Sequence, residues 1–432
     1  MEQYNRTEKF YDAILRFSLW TLPYFYYASF CGVFAVVIHA LRTSQKRVLD
    51  SFTRNSLLLI SGLLILSSAF AWNRGEAFLQ LANFLPFFLV FAALTVVLKR
   101  VETLETLALG LVISAVPINL ISLVEYGLKS PFLPQAMQNI GAIAQLRSAP
   151  HVGRAMVTFD HPNVLASYLV MVLGLGLGLV IKQLAQPLQK PSEIQSQIQS
   201  HPDTKPRLDW SVWRSRLLYI GTGLNLVGIF CSGSRNGLII AISQLIVFAL
   251  LARTRRMMFL AGLLGVGAIA LAVLTLGVGG RSVTEEAVAT DPRVGVWQIA
   301  LDLIRERPLL GWGLGNYKLI YPERLIDPTH PYIAHPHNIW LLLGSEAGIP
   351  AMLLMTVLVG YICYRAVRLL LLQKTAPISP GIVLAYLLAF WGCIGFALFD
   401  VTLYDAGINI MNWTMLAGIY SASLPDPSPS EA

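Results

Sequence analysis

Apolar residues run along this chain in blocks of about 18–24, each long enough for a helix to cross a hydrocarbon layer ~30 Å thick. After a polar and aromatic start of about 17 residues, read as an interfacial helix, the blocks fall at about 18–41, 55–71, 77–98, 103–124, 162–181, 215–231, 237–252, 257–278, 339–364, 381–399 and 406–423. Pro23 breaks the first, so residues 10–41 read equally as one crossing or as a tight hairpin. Basic residues mark alternate breaks: Arg42, Lys46, Arg47 and Arg54, then Lys99 and Arg100, then Arg253, Arg255 and Arg256, then Arg365, Arg368 and Lys374. By the positive-inside bias these breaks are cytoplasmic. The pattern predicts an all-α, polytopic membrane protein with about 11–12 transmembrane helices and one large extracytoplasmic loop carrying short helices. A bundle over 1–182, with an outer loop at about 125–160, leads to a flexible cytoplasmic linker over 183–213 rich in Gln, Ser, Pro and Lys. Helices over 214–278, a large periplasmic loop over 279–336, helices over 337–423 and a disordered tail over 424–432 follow.

Composition agrees. The 432 residues are 55% hydrophobic and only 13% charged, about half the charged share of a soluble domain. Regular strands are excluded because open sheets cannot face lipid. The net charge of +8 resides in loops between blocks, which reads as topology and not as nucleic-acid binding. No cleavable signal peptide is evident. Cys31, Cys231, Cys363 and Cys393 lie in or beside apolar blocks, with neither metal-ligand spacing nor a disulfide framework. The expected location is the inner membrane, multi-pass, with the active face periplasmic.

This topology puts Arg154, Arg235, Arg293 and His337, from four parts of the chain, on one non-cytoplasmic face. The run His335-Pro336-His337-Asn338 stands just ahead of the block that begins Ile339-Trp340-Leu341. Pro336 suits a first helical turn, which places His337 at a helix entrance. Outward-pointing N–H groups there disfavour imidazolium and leave a ring able to accept a proton. The competing reading is an interfacial histidine that only caps a helix.

Arg235 follows Ser234, a good N-cap, and so sits in a first turn, the wrong end of a helix for a cation. It suggests a nearby anion, or an arginine snorkelling to lipid phosphates. Arg154 precedes Asp160-His161-Pro162-Asn163, where Asp160 or His161 caps the next helix and His161 and Asn163 read mainly as capping groups. Arg293 opens an amphipathic stretch with Trp297, Ala300, Leu301 and Ile304 on one stripe. An ion pair to Asp291 or Glu286 is its plain alternative. The turn Leu309–Tyr317 is glycine-punctuated but lacks the lysine and Ser/Thr of a phosphate loop. Glu346 lies about 900° of helix from His337, on the opposite face, and is assigned to interhelical pairing with an arginine. Three arginines with a proton-accepting histidine suggest anion capture plus proton abstraction, and a lipid-linked diphosphate sugar fits both charge and membrane. No Asp-x-Asp pair or His/Asp cluster suited to Mg²⁺ or Mn²⁺ is visible, so the expected chemistry uses no metal and no cofactor.

At this point the chain resembles the O-antigen ligase and polymerase-related family of membrane glycosyltransferases. The matching pieces are Arg154 with Phe159-Asp160-His161-Pro162-Asn163; Ser232-Gly233-Ser234-Arg235-Asn236-Gly237; Arg293 with Trp297, then Arg307-Pro308-Leu309-Leu310-Gly311-Trp312-Gly313; and His337-Asn338 with Leu341, Glu346 and Gly348. The resemblance implies a large periplasmic loop over the site and inverting, metal-independent glycan transfer from undecaprenyl diphosphate. It makes His337 the essential base and Arg235 and Arg293, with Arg154, the diphosphate ligands. Asn338, Glu346, His161 and Asn163 are supporting residues. The implied partners are an undecaprenyl-diphosphate-linked donor, a glycan, lipid A core or protein acceptor, and membrane lipids. A polymerase of the same family uses the same chemistry. The family also holds cyanobacterial proteins named as inorganic-carbon transporters, so a small-anion (bicarbonate) transporter is the rival class.

Overall fold

Pro162–Ala185 is the helix the others close around, and its glycines explain why. A Cβ on Gly174 would lie 2.4 Å from the Ala389 nitrogen, and one on Gly178 would lie 2.2 Å from Ala385 Cα. Small residues four apart let two helices in lipid approach until their backbones touch. The partner is the antiparallel helix Pro380–Ala397. Gly381 meets Lys182 in the same register as the 174/389 and 178/385 pairs. Continued outward, that register sets residue 163 opposite residue 400. Gln244, fully buried, adds a clamp: its Nε2 donates to Val170 O at 2.9 Å and Leu388 O at 2.8 Å. Gly178→Leu should therefore force the pair apart. The expected result is a destabilisation of about 3 kcal/mol or more, read as an earlier thermal loss of the monodisperse peak in detergent.

The computed structural model describes residues 2–43, 49–129, 153–185, 210–252, 255–276, 278, 293–326, 331–372 and 380–424. In order these form α1 (Glu2–Thr21), α2 (Tyr26–Thr43), α3 (Ser51–Ala69), α4 (Arg74–Gln80), α5 (Leu85–Val97), α6 (Val101–Leu128), α7 (Pro162–Ala185), α8 (Trp210–Cys231), α9 (Arg235–Leu251), α10 (Arg256–Leu276), α11 (Arg293–Glu306), α12 (Tyr317–Ile320), α13 (Ile339–Glu346), α14 (Ile349–Leu372), α15 (Pro380–Ala397) and α16 (Ala406–Ala422). Among the described residues no β-strand forms. The predicted all-α polytopic class is what the chain adopts.

Among those residues, eight helical runs are long and apolar enough to cross a membrane: α2, α3, α4 through α5, α6, α7, α10, α14 and α15. Three further predicted spans are helical but short or interrupted by charge. Helices α9 and α16 have 17 residues each, and α8 carries Arg214 and Arg216. The undecided stretch 10–41 is a hairpin of α1 and α2, with Tyr11 stacked on His39 at 3.6 Å and Thr21 Oγ1 3.0 Å from Ser29 Oγ.

Four contacts of basic residues gather at one set of helix ends. Arg100 meets Glu8 at 3.6 Å, Arg365 meets Asp50 at 3.1 Å, Lys182 meets Glu105, and Arg255 donates to Leu184 O at 3.0 Å. The Trp72–Trp312, Asn73–Asn316 and Asn163–Asp400 contacts lie at the opposite helix ends. The basic residues of these breaks therefore share one end of the bundle.

Other expectations change. The single span predicted at 339–364 is two helices, α13 and α14, broken at Ala347-Gly348. Gly348 has φ +88°, and a Cβ there would lie 2.2 Å from Leu309 O. Gly311, at φ +64°, packs against the Glu346 carbonyl carbon in the same break. Only glycine takes both the left-handed angle and the close approach. The buried stripe of α11 is Val296, Ile299, Ala300 and Leu303, while Leu301 is exposed. Its phase is set by the aromatic partners Tyr317 and Tyr321, far along the chain. The predicted linker is narrower at both ends, since α7 reaches Ala185 and α8 begins at Trp210. Its middle, most of the outer loop at 125–160, the start of the large loop with Glu286 and Asp291, and nearly all of the tail lie outside the described residues.

Candidate active site

Asn338, not Pro336, opens α13. Its side chain accepts from Trp340 N at 2.9 Å and Leu341 N at 3.0 Å, a strong N-cap. Pro336 and His337 stand before the helix, which corrects the expected placement in a first turn. His337 has φ +51°, a strained angle for a residue with a side chain. The turn aims its ring at Asp400: Nδ1 and Oδ1 are 3.1 Å apart. With a carboxylate at Nδ1, that nitrogen carries the hydrogen and Nε2 keeps its lone pair. The carboxylate, and not the helix dipole, therefore sets the ring's orientation and tautomer.

Asp400 carries the contact onward. Its Oδ2 accepts from Asn163 Nδ2 at 2.9 Å, and Asn163 Oδ1 accepts from Arg154 Nη2 at 2.9 Å. This places the Arg154 guanidinium within roughly 14 Å of the His337 ring, by hydrogen-bond lengths alone. The α7–α15 register makes the central pair of this chain. Although burial opposes it, the hydrogen bond from His337, the two histidines' charge and the Asn163 amide hold the Asp400 carboxyl well below the usual carboxylate range. Asn163 does more than cap: the capping group is His161, whose Nδ1 accepts from Asn163 N at 3.0 Å.

Arg154 is 8% exposed and ties two loops together, its Nε donating to Ser232 O at 2.9 Å. Glu125 fixes the same loop from below, accepting from Met156 N and Val157 N at 2.9 Å each. Arg235 is three residues beyond Ser232, in the first turn of α9 as predicted, with Ser234 as the N-cap. Its Nε is buried with no hydrogen-bond partner among the described residues. Arg293 begins α11. A Cβ on Gly344 would touch Ile304, and Leu341 packs on the Val296–Leu303 cluster. So α11 and α13 run side by side with their N-termini at one end, which puts Arg293 at the His337 end.

Among the described residues Glu346 pairs with no arginine. Its carboxylate accepts from Gly315 N at 2.8 Å and Tyr317 N at 3.0 Å, and its carbonyl accepts from Gly313 N at 2.8 Å. It is the anchor of the glycine-rich turn, a scaffold role. Arg307 stacks on Trp312 at 4.0 Å in that turn.

Two residues at the site are given no role by the sequence reading. Asp400 is one, visible only as a carboxylate just past an apolar block. His335 is the other; its ring meets His337 edge-on at 4.6 Å. Burial, then the neighbouring His337, holds His335 below the ordinary imidazole range. Ligand atoms of His335, His337 and Asp400 all lie within 4.8 Å of one another. The three meet only in the fold, which brings Asp400 beside a His-Pro-His run 63 residues away. Below His337, an apolar groove of about 310 Å³ starts at Ile339 and Trp340 and runs past Met355, Cys363 and Phe390 to Leu416.

The comparisons bear on the same stretch. A family model described as O-antigen ligase matches residues 220–356, the span that holds Arg235, Arg293, His337 and Glu346. A Rickettsia conorii protein named "Putative polysaccharide ligase" is 31% identical over 103 residues, 22% of this chain and 25% of its own. The chain thus spans about a quarter of the length of that relative. Over residues 220–356 the chain is thus similar to the O-antigen ligase family, and the described residues of that stretch are helices and the loops between them.

Proposed function

We propose that the protein transfers a glycan from undecaprenyl diphosphate to an acceptor hydroxyl, in the manner of an O-antigen ligase, on the periplasmic face of the inner membrane. The observation that carries this reading is the hydrogen-bonded chain His337–Asp400–Asn163–Arg154, which joins a proton acceptor to an arginine corner. His337 Nε2 takes the proton of the acceptor hydroxyl while Asp400 stabilises the imidazolium that forms. The acceptor oxygen attacks the anomeric carbon from the face opposite the diphosphate. The carbon–oxygen bond to the diphosphate breaks, and the configuration inverts. Arg235 and Arg293 offset the charge gathering on the leaving group, so guanidinium charge stands where other enzymes place a metal. Arg154, mostly occupied by Ser232 and Asn163, supports them from behind. The apolar groove offers the prenyl chain a path directly below the base. A glycan, the lipid A core or a protein serves as acceptor; a second lipid-linked glycan would make the same chemistry a polymerase.

Purified protein given an undecaprenyl-diphosphate-linked oligosaccharide and each acceptor in turn tests the reading. The expected result is transfer that survives EDTA and releases undecaprenyl diphosphate. Activity abolished by EDTA and restored by Mg²⁺ would end it. Arg235→Ala should lower kcat/KM by about 2–4 kcal/mol of transition-state stabilisation, roughly 30- to 10³-fold. Arg235→Lys should recover only part, because a point charge lacks the planar fork.

A further inference from the structure

We propose that His335, His337 and Asp400 form a binding site for a zinc-class divalent cation, and that filling it stops transfer by occupying the base; the second half rests on the role given to His337 above. One ligand atom from each residue lies within 4.8 Å of the others. Two imidazoles and one carboxylate are a donor set that zinc and cobalt take readily and that magnesium and calcium do not. The set is supported from outside. Asn163 Nδ2 and the Val401 N–H each hold an Asp400 oxygen at 2.9 Å, the kind of second-layer hydrogen bonding that orients a ligating carboxylate. The left-handed backbone at His337 brings its ring against that of His335 instead of letting the two diverge. The His337 side chain keeps 32% of its surface exposed, which leaves an entry path and an open coordination position.

The Arg154 charge, one hydrogen-bonded residue behind Asp400, works against a cation. The site is therefore weaker than a closed structural zinc site. The consequence for chemistry is direct. An imidazole that gives Nδ1 to a metal carries its hydrogen on Nε2, and one that gives Nε2 has surrendered the lone pair itself. Either way His337 cannot accept a proton.

The test uses the full chain in detergent, stripped with chelator. Cobalt absorption, and zinc competition against a chromophoric chelator, read binding without reference to activity. One equivalent per chain is expected, with Mg²⁺ failing to compete. His335→Asn and Asp400→Asn should each weaken binding by about tenfold or more. In the transfer assay, zinc should inhibit the parent and EDTA should relieve it. His335→Asn, with unchanged elution and unfolding temperature, should need about tenfold more zinc for half-inhibition, each protein being measured against its own zinc-free rate. Binding that is absent, or equal in parent and both variants, would overturn the site. Equal inhibition midpoints in parent and His335→Asn would overturn the link to the base. A parent that binds cobalt but transfers no glycan would instead count against the enzyme reading and leave the metal site standing.

Discussion

Replacing His337 by alanine should lower glycan transfer by about 10²–10⁴-fold, the usual loss when a positioned base is removed, while the protein inserts and elutes as the parent does. Asp400→Asn should fall between the two. It preserves shape and the Asn163 contact but presents an amide where His337 Nδ1–H requires an acceptor of fixed charge. A companion variant separates chemistry from strain. The φ of +51° at His337 costs a residue with a side chain about 1 kcal/mol or more. His337→Gly should therefore unfold at a higher temperature than His337→Ala, although both lack the base and should lose transfer alike. That pattern would show an angle kept for function at the expense of stability. A His337→Ala protein that transfers at the parental rate would remove the base from the mechanism.

The contrast between His337 and Asp400 shows what could be read ahead of the fold. His337 announced itself locally, in a His-Pro-His-Asn run ahead of an apolar block. Arg235 did so by breaking the charge preference of a helix start beside a clear N-cap, and α9 begins there. Topology was legible because lysine and arginine respond to the membrane and not to tertiary partners. Asp400 responds only to its partners. It meets His337 across 63 residues and Asn163 across 237, through a helix register that Gly174 and Gly178 create. A Gly-x-x-x-Gly pair inside an apolar block was the available signal. The break between α13 and α14 was also written locally, as Gly348 ahead of Ile349-Pro350, a helix stop followed by a helix start. Continuous hydropathy across it concealed the break. The phase of α11 could not be read in isolation, because Leu301 and Leu303 are equally apolar and only Tyr317 and Tyr321 decide which is buried.

Glu346 carries the second large expectation, and it concerns stability. Glu346→Ala leaves the Gly315 and Tyr317 N–H groups buried without their acceptor. Each such loss costs roughly 1–3 kcal/mol, so a total of about 3–5 kcal/mol follows once the cavity is included. The turn held by this carboxylate also takes Trp312 N onto Ser345 O at 2.9 Å and passes Trp312 O to Trp72 N at 3.0 Å. Releasing it frees the α13–α14 break, and with it the helix whose cap adjoins His337. Transfer should fall along with the unfolding temperature. Charge makes the effect depend on pH. Burial pushes the Glu346 carboxyl up to about 7 from 4.5, against the pull of the two N–H donors. Folding thus favours the protonated acid. Its contribution is fullest below pH 4.5, declines as pH rises towards 7, and is level above, a span of at most roughly 3 kcal/mol. Glu346→Gln keeps the size, cannot ionise, and should show a flat profile across the same window. Unfolding temperatures of parent and Gln variant, measured from pH 5 to pH 8 in one detergent, decide the matter. The parental curve should fall relative to the variant's, and parallel curves would mean that Glu346 is ionised throughout, held by its backbone donors.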